Sequence, residues 1–137
     1  EALGESDIVI TITPARKPVI KKEWIKPGTH LSCVGADMLG KEEIEPEIFK
    51  GARVFCDDIN QCVNVGESGI PVKTGVIKRE NIAGEIGQVL SGEKEGRKSA
   101  EDITIFDATG IALLDLITAK AAIEAAVEKQ LGSQVEI

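Results

Sequence analysis

The stretch VGADMLGKEE, Val34 to Glu43, carries Gly35, Gly40 and Lys41 at the G-x-x-x-x-G-K spacing of a phosphate-cradling loop. In such a loop backbone amides and the lysine hold phosphate, and a Ser or Thr after the lysine ligates Mg²⁺. Glu42 stands in that last position, and Asp37 and Glu43 add negative charge where phosphate would lie. VFCDD, Val54 to Asp58, supplies the acidic strand end that accompanies such loops, but the metal ligand is missing. What the stretch does offer is Asp37. Its carboxylate could accept a proton or cap a helix beginning near Gly40-Lys41-Glu42.

Other reactive residue types sit at the ends of apolar runs: Thr13-Pro14, Asp57-Asp58 and Asp107-Ala108-Thr109-Gly110. Asp57, Asp58, Asp107, Thr109 and Lys41 together have the composition of a phospho-acceptor cluster. The order is wrong for one, because the acidic pair would have to close the first strand and here it closes the third. Each of these residues also has a plainer role open to it. Asp57 and Asp58 suit a turn, Asp107 a local cap, Lys41 a solvated helix position and Arg16-Lys17 a solvated turn.

The elements that position these residues read as alternating strands and helices. Asp7 to Thr13, Thr29 to Ala36, Arg53 to Asp58 and Ile103 to Asp107 are short β-branched or apolar runs bounded by Pro, Gly or Asp. Lys41 to Lys50 reads as a short helical segment limited by Pro46, and Glu80 to Leu90 as a second helix stopped at Gly92. Ile59 to Arg79 is mixed, and Gly92 to Asp102 is a charged loop. A long helix is predicted from about Ile111 to Leu131, with Leu114, Ile117, Ala121 and Ala125 on one face and Lys120, Glu124 and Glu128 on another. Such alternation implies an α/β fold with a mainly parallel sheet, in which ligands bind beyond the carboxyl ends of the strands. The residues singled out above gather at those ends.

The chain has 137 residues, 42% hydrophobic and 28% charged, which is the composition of one globular domain with a core of Ile, Val, Leu and Ala. Its net charge of −7 opposes binding to a nucleic-acid backbone, while an anionic cofactor could still be held by backbone amides. Cys33, Cys56 and Cys62 are odd in number, with no C-x-x-C and a single His, His30, so a zinc site is disfavoured and a reduced, cytoplasmic protein is expected. No apolar run approaches the roughly 20 residues of a membrane span. EALGESDIVI has no initiator Met and runs directly into a strand, as the middle of a domain would.

Taken in series, SDIVITITPARKPVI, THLSCVGADMLGKEEIEPEIF, ARVFCDDINQC, GEIGQVLSGEKEGR and DITIFDATGIALLDLITA resemble the carboxyl-terminal part of the ornithine cyclodeaminase and mu-crystallin family, in its archaeal-type alanine dehydrogenase-like branch. The resemblance covers nearly the whole chain in order. It implies the second half of a Rossmann-like NAD(P)-binding domain over residues 1–110. A C-terminal helix and tail over 111–137 would pack toward a substrate domain that is absent here. The family's G-x-G-x-x-G, its ribose-binding acid and its substrate-holding Lys and Arg would lie upstream, so these residues alone would be inactive.

Residue by residue, the resemblance makes Thr13, Val34, Gly35, Ala36, Lys41 and Ala108 neighbours of the cofactor. It makes Asp37 the catalytic aspartate and a substrate contact, and Thr109 a second substrate contact. Many relatives carry Ser at Ala108, and Met38-Leu39 replace a small residue and Pro. The implied reaction moves hydride from an amino-acid α-carbon to the nicotinamide of NAD or NADP, and ammonia is then lost. Alanine dehydrogenase chemistry is the first expectation. Ornithine cyclodeamination, ketimine reduction and a non-catalytic mu-crystallin-like binding role are the alternatives. Partial burial would raise the pKa of Asp37, and a positive nicotinamide would oppose that. Gly35 and Ala36 would let cofactor and substrate approach the backbone. The implied partners are a small amino acid and, through the absent domain, a second copy in a homodimer.

Overall fold

The computed structural model describes residues 2–133 and 135. Its centre is a five-stranded, wholly parallel sheet made of β1 (Ile8–Thr11), β3 (His30–Cys33), β5 (Arg53–Cys56), β6 (Ile82–Glu85) and β7 (Thr104–Asp107), in the order β1-β3-β7-β5-β6. A small parallel pair, β2 (Arg16–Ile20) with β4 (Glu42–Ile44), accompanies it. Short α1 (Ala2–Glu5) precedes β1, α2 (Ile59–Val65) and α3 (Gly69–Lys73) follow β5, and α4 (Ile86–Leu90) follows β6. The long α5 (Ala112–Glu128) ends the order. The architecture is α/β with a mainly parallel sheet, as the alternation of elements predicts.

Strand register sorts the side chains into two faces, because successive residues of a strand point to opposite sides. Val9, Leu31, Ile105 and Val54 lie in register across one face and are all buried. Ile20, Ile44, Ile48, Phe49, Cys62 and Ile77 join them in a single core. The opposite face carries Ile8, His30, Thr104 and Arg53 in one row and Ile10, Ser32, Phe106 and Phe55 in the next. Over β1 this face is bare, with Ile8 66% and Ile10 67% exposed. Parallel sheets are ordinarily covered on both sides.

Several local expectations are corrected. Lys41–Lys50 is not helical: Glu42–Ile44 pairs with β2 as a strand, and Pro46–Phe49 is a 3-10 turn. Tertiary pairing overrides helix propensity there, since Glu42 N bonds Ala15 O at 3.0 Å. Arg16-Lys17, read as a solvated turn, opens β2. The predicted helix over Glu80–Leu90 is a 3-10 turn, then β6, then α4, because Ile82 and Gly84 pair with β5. The mixed stretch after Ile59 holds α2 and α3. The long helix runs over Ala112–Glu128 and has no buried residue, with Leu113, Leu114, Leu116 and Ile117 all more than half exposed. Of the tail expected after it, positions 134, 136 and 137 lie outside the described residues.

Candidate functional site

The carboxyl ends of β1, β3, β5 and β7 bring together Thr13, Gly35 to Asp37, Asp57 and Ala108 to Gly110, as predicted from the sheet. Ladder hydrogen bonding stops just beyond the strands, with Val34 N donating to Thr11 O (2.9 Å) and Ala108 N to Cys33 O (3.0 Å). Past that line side-chain carboxylates take over as acceptors. Thr13 N, Thr13 Oγ1, Gly35 N and Thr11 Oγ1 all donate to Glu43, at 2.6, 2.8, 3.0 and 2.7 Å. Asp57 Oδ2 accepts from Thr109 N (2.8 Å) and Gly110 N (2.9 Å). Asp107 accepts from the amides of Glu67 (3.1 Å) and Ser68 (2.8 Å), and Glu67 Oε1 in turn accepts from the amides of Glu43 and Ile44, both at 2.8 Å.

Sequence reasoning left Glu43 as a source of repulsion and passed over Glu67. Both are buried. Asp107 serves a distant loop rather than its own helix start. Asp58 caps α2, accepting from Gln61 N at 2.8 Å, so of the two acidic residues only Asp57 reaches the strand-end edge. Asp37 caps nothing, since β4 follows it rather than a helix.

Asp37 stands apart from these buried acids. Half of its side-chain surface is exposed, and it pairs with Lys41 Nζ at 2.5 Å; the same ammonium donates to Gly35 O at 3.1 Å. The Lys41 hydrogen bond, with the charge of the same ammonium, holds Asp37 below the ordinary carboxylate range against the opposing effect of desolvation. The burial-driven rise expected from the sequence is therefore reversed in this chain. Asp37 is an anion in reach of solvent, with a cation fixing its position.

The buried acids behave oppositely. Burial raises Asp107 to about 6 and Glu67 to about 8. Neighbouring Asp107 and Glu43 add to the rise at Glu67, while the amides it accepts from resist it.

This edge has no open phosphate cradle. Gly35 N, Thr13 N, Ala108 N, Thr109 N and Gly110 N are all engaged internally, and the groups beneath them are carboxylates. The P-loop spacing is therefore coincidental. Gly110, at φ +85° with nothing near its missing Cβ, takes a left-handed backbone that favours glycine. Gly35 has a different reason for being glycine. A Cβ there would lie 2.4 Å from Glu43 Oε1 and 2.5 Å from Thr13 N and O, so its lack of bulk serves internal packing. Ala36 is buried as well, at 1% exposure.

Cys56, Cys62 and Asp107 form a buried group of potential metal-ligand atoms. Cys62 is instead a hydrogen-bond donor, 3.2 Å from both Asp57 Oδ1 and Asp107 O. Contact with Cys56 and burial push its thiol far up, away from the thiolate that a metal needs. A cleft of about 500 Å³ borders the Asp37 loop, lined by Leu39, Lys41, Val63, Gly66, Ile70 and Lys73. No helix among the described residues is long and apolar enough to cross a membrane.

The model of the ornithine cyclodeaminase/mu-crystallin family matches residues 1–130. The chain is 44% identical over 136 residues to an alanine dehydrogenase of Archaeoglobus fulgidus, covering 99% of this chain and 42% of that protein. It is 40% identical over 134 residues to an iminosuccinate reductase of Paracoccus denitrificans, covering 98% and 41%. Among solved structures, an archaeal alanine dehydrogenase dimer with bound NAD superposes with a TM-score of 0.84 at 45% identity, over 96% of this chain and 41% of that one. A Δ(1)-pyrroline-2-carboxylate reductase of Thermococcus litoralis, in complex with NADH and L-proline, gives 0.88 at 37% identity, over 98% and 42%. The chain thus spans well under half the length of the relatives it matches.

Proposed function

Starting from the fact that the chain belongs to the ornithine cyclodeaminase/mu-crystallin family, we propose that it is the second half of the NAD(P)-binding domain of an amino-acid oxidoreductase, most closely an alanine dehydrogenase. The observation that carries this reading is the strand-end edge, where one solvent-reachable carboxylate, Asp37, is fixed by Lys41 above a layer whose amides are already satisfied. NAD(P), when bound, supplies acceptance of hydride from the amino-acid α-carbon. Thr13, Val34, Gly35, Ala36, Lys41 and Ala108 form the neighbourhood of the cofactor, and Asp37 and Thr109 meet the substrate.

Deamination needs a group that takes a proton from the amine, or from the water that displaces it, and that tolerates positive charge beside it. Asp37 has both properties, being ionised and accessible. Lys41 keeps the carboxylate oriented, and the Asp57 bonds hold Thr109 and Gly110 in place beyond the end of β7. Residues 1–110 form the cofactor-binding part. The exposed apolar α5 packs toward a substrate domain supplied elsewhere in the full-length protein, a cytoplasmic homodimer.

The decisive experiment is Asp37→Ala in the full-length enzyme, assayed with alanine and NAD⁺ and with pyruvate, ammonia and NADH. Loss of turnover with NAD binding retained is expected. Near-normal turnover would remove Asp37 from the chemistry. Imine reduction is a second reading, favoured by the 40% identity to an iminosuccinate reductase. It predicts reduction of a cyclic or dicarboxylic imine in preference to oxidation of alanine.

A further inference from the structure

We propose that Glu43, outside the residues carried over from the family, is the positioning residue that holds the ends of β1 and β3 in the arrangement a bound cofactor requires. The inference rests on the NAD(P)-binding reading above.

Beyond Thr11 and Val34 the parallel ladder has ended, yet the two chains continue side by side. Their next amides, Thr13 N and Gly35 N, are both donors, with no backbone carbonyl bonding them to each other. The Glu43 carboxylate supplies the missing acceptors. Oε1 takes Thr13 N and Thr13 Oγ1, and Oε2 takes Gly35 N and Thr11 Oγ1. Each oxygen thus has two donors, which uses the lone-pair capacity of the group. The side chain is 0% exposed, and all four donors are neutral. Backbone at Gly35 and Thr13 approaches so closely that no other residue fits at Gly35. Glu43 is itself fixed, because Glu67 Oε1 accepts its amide at 2.8 Å.

A carboxylate is required here in particular. Gln has the same shape, but in either orientation its NH₂ would face a backbone N–H, of Thr13 or of Gly35, that can only donate, while the threonine hydroxyl beside it can turn to accept. The strand ends would then separate by a fraction of an ångström or more. Displacements of that size beside reacting atoms are costly to turnover. Thr11 offers a gentler perturbation. It lies on the covered face and touches Oε2 only through its hydroxyl, so Thr11→Val removes one donor and keeps the volume.

The test compares full-length wild type, E43Q and T11V in NAD dissociation constant, kcat, and hydrogen exchange at the Thr13 and Gly35 amides without cofactor. E43Q is expected to weaken NAD binding about tenfold and lower kcat about a hundredfold, with faster exchange at both amides. T11V is expected to weaken binding about threefold in the same direction, as loss of one hydrogen bond implies. A purely structural role would lower the melting temperature and leave the dissociation constant and kcat of the folded protein unchanged, and that result overturns the proposal. If E43Q does not fold, T11V decides alone. If wild type has no affinity for NAD, the binding reading falls. Unchanged exchange at Thr13 and Gly35 in the folded variants would then overturn the anchoring role separately.

Discussion

Glu67→Gln is expected to stabilise this protein at neutral pH, even though it alters a fully buried, hydrogen-bonded side chain. Glu67 is 1% exposed; Oε1 accepts two backbone amides, and Oε2 is buried without a partner. Burial, reinforced by Asp107 and Glu43, lifts the group from 4.5 to about 8. A carboxyl with a raised folded-state pKa contributes stability that is fully present below the unfolded value, 4.5, and is lost as pH rises toward 8. At about 1.4 kcal/mol per unit, the loss is about 1 kcal/mol by pH 5 and about 3 kcal/mol by pH 7. Gln keeps the carbonyl that accepts both amides and cannot ionise, so the variant avoids this loss. The difference between the two proteins should grow by about 2 kcal/mol from pH 5 to pH 7. Native-state hydrogen exchange at Leu31, Val54 and Ile105, in the protected core strands, reads this directly. Equal stabilities at both pH values, or a less stable variant at pH 7, would show that Glu67 is ionised and useful as an anion.

Lys41→Met removes the ammonium that holds Asp37 below its ordinary range, so the acidic limb of the full-length enzyme's pH–rate profile should move to higher pH. An unmoved limb would separate Asp37 from the ionisation controlling turnover. Asp57→Asn sets an NH₂ either against the Thr109 and Gly110 amides or, in the other orientation, against the Asp58 amide, and a cost of about 2 kcal/mol is expected in urea unfolding. The same variant should exchange the Thr109 and Gly110 amides faster; full protection would mean that another acceptor replaces Asp57.

What was legible in the sequence follows its periodicity. Ile8, Val9 and Ile10, or Ile103, Thr104 and Ile105, make a strand in almost any context, and the long Ala- and Leu-rich run around Leu114 could only be a helix. Glu42–Ile44 and Ile82–Glu85 could not be read that way. Each is three or four residues long with an acidic or glycine-containing pattern, and each becomes a strand only because a distant partner pairs with it. The site divides along the same line. Asp37 and Lys41 stood out because their spacing is local. Glu43 and Glu67 did not, since their partners lie 8 to 32 residues away and a buried glutamate looks like any other charge in a string of letters.

The bare side of β1 has a consequence for how sequence change is felt. β1 stands at one end of the sheet order, with Val9 and Thr11 turned into the core and Ile8 and Ile10 turned out of it, followed by Ile12 at 76% exposure. Neighbouring letters of one strand thus answer to different constraints. A polar replacement at Val9 strikes the shared interior of the described core. The same replacement at Ile10 leaves that interior intact and alters only the terms on which another layer can settle against the sheet. Tolerance to mutation along ITIT would alternate with period two, and the outward positions would register assembly while the inward ones register folding.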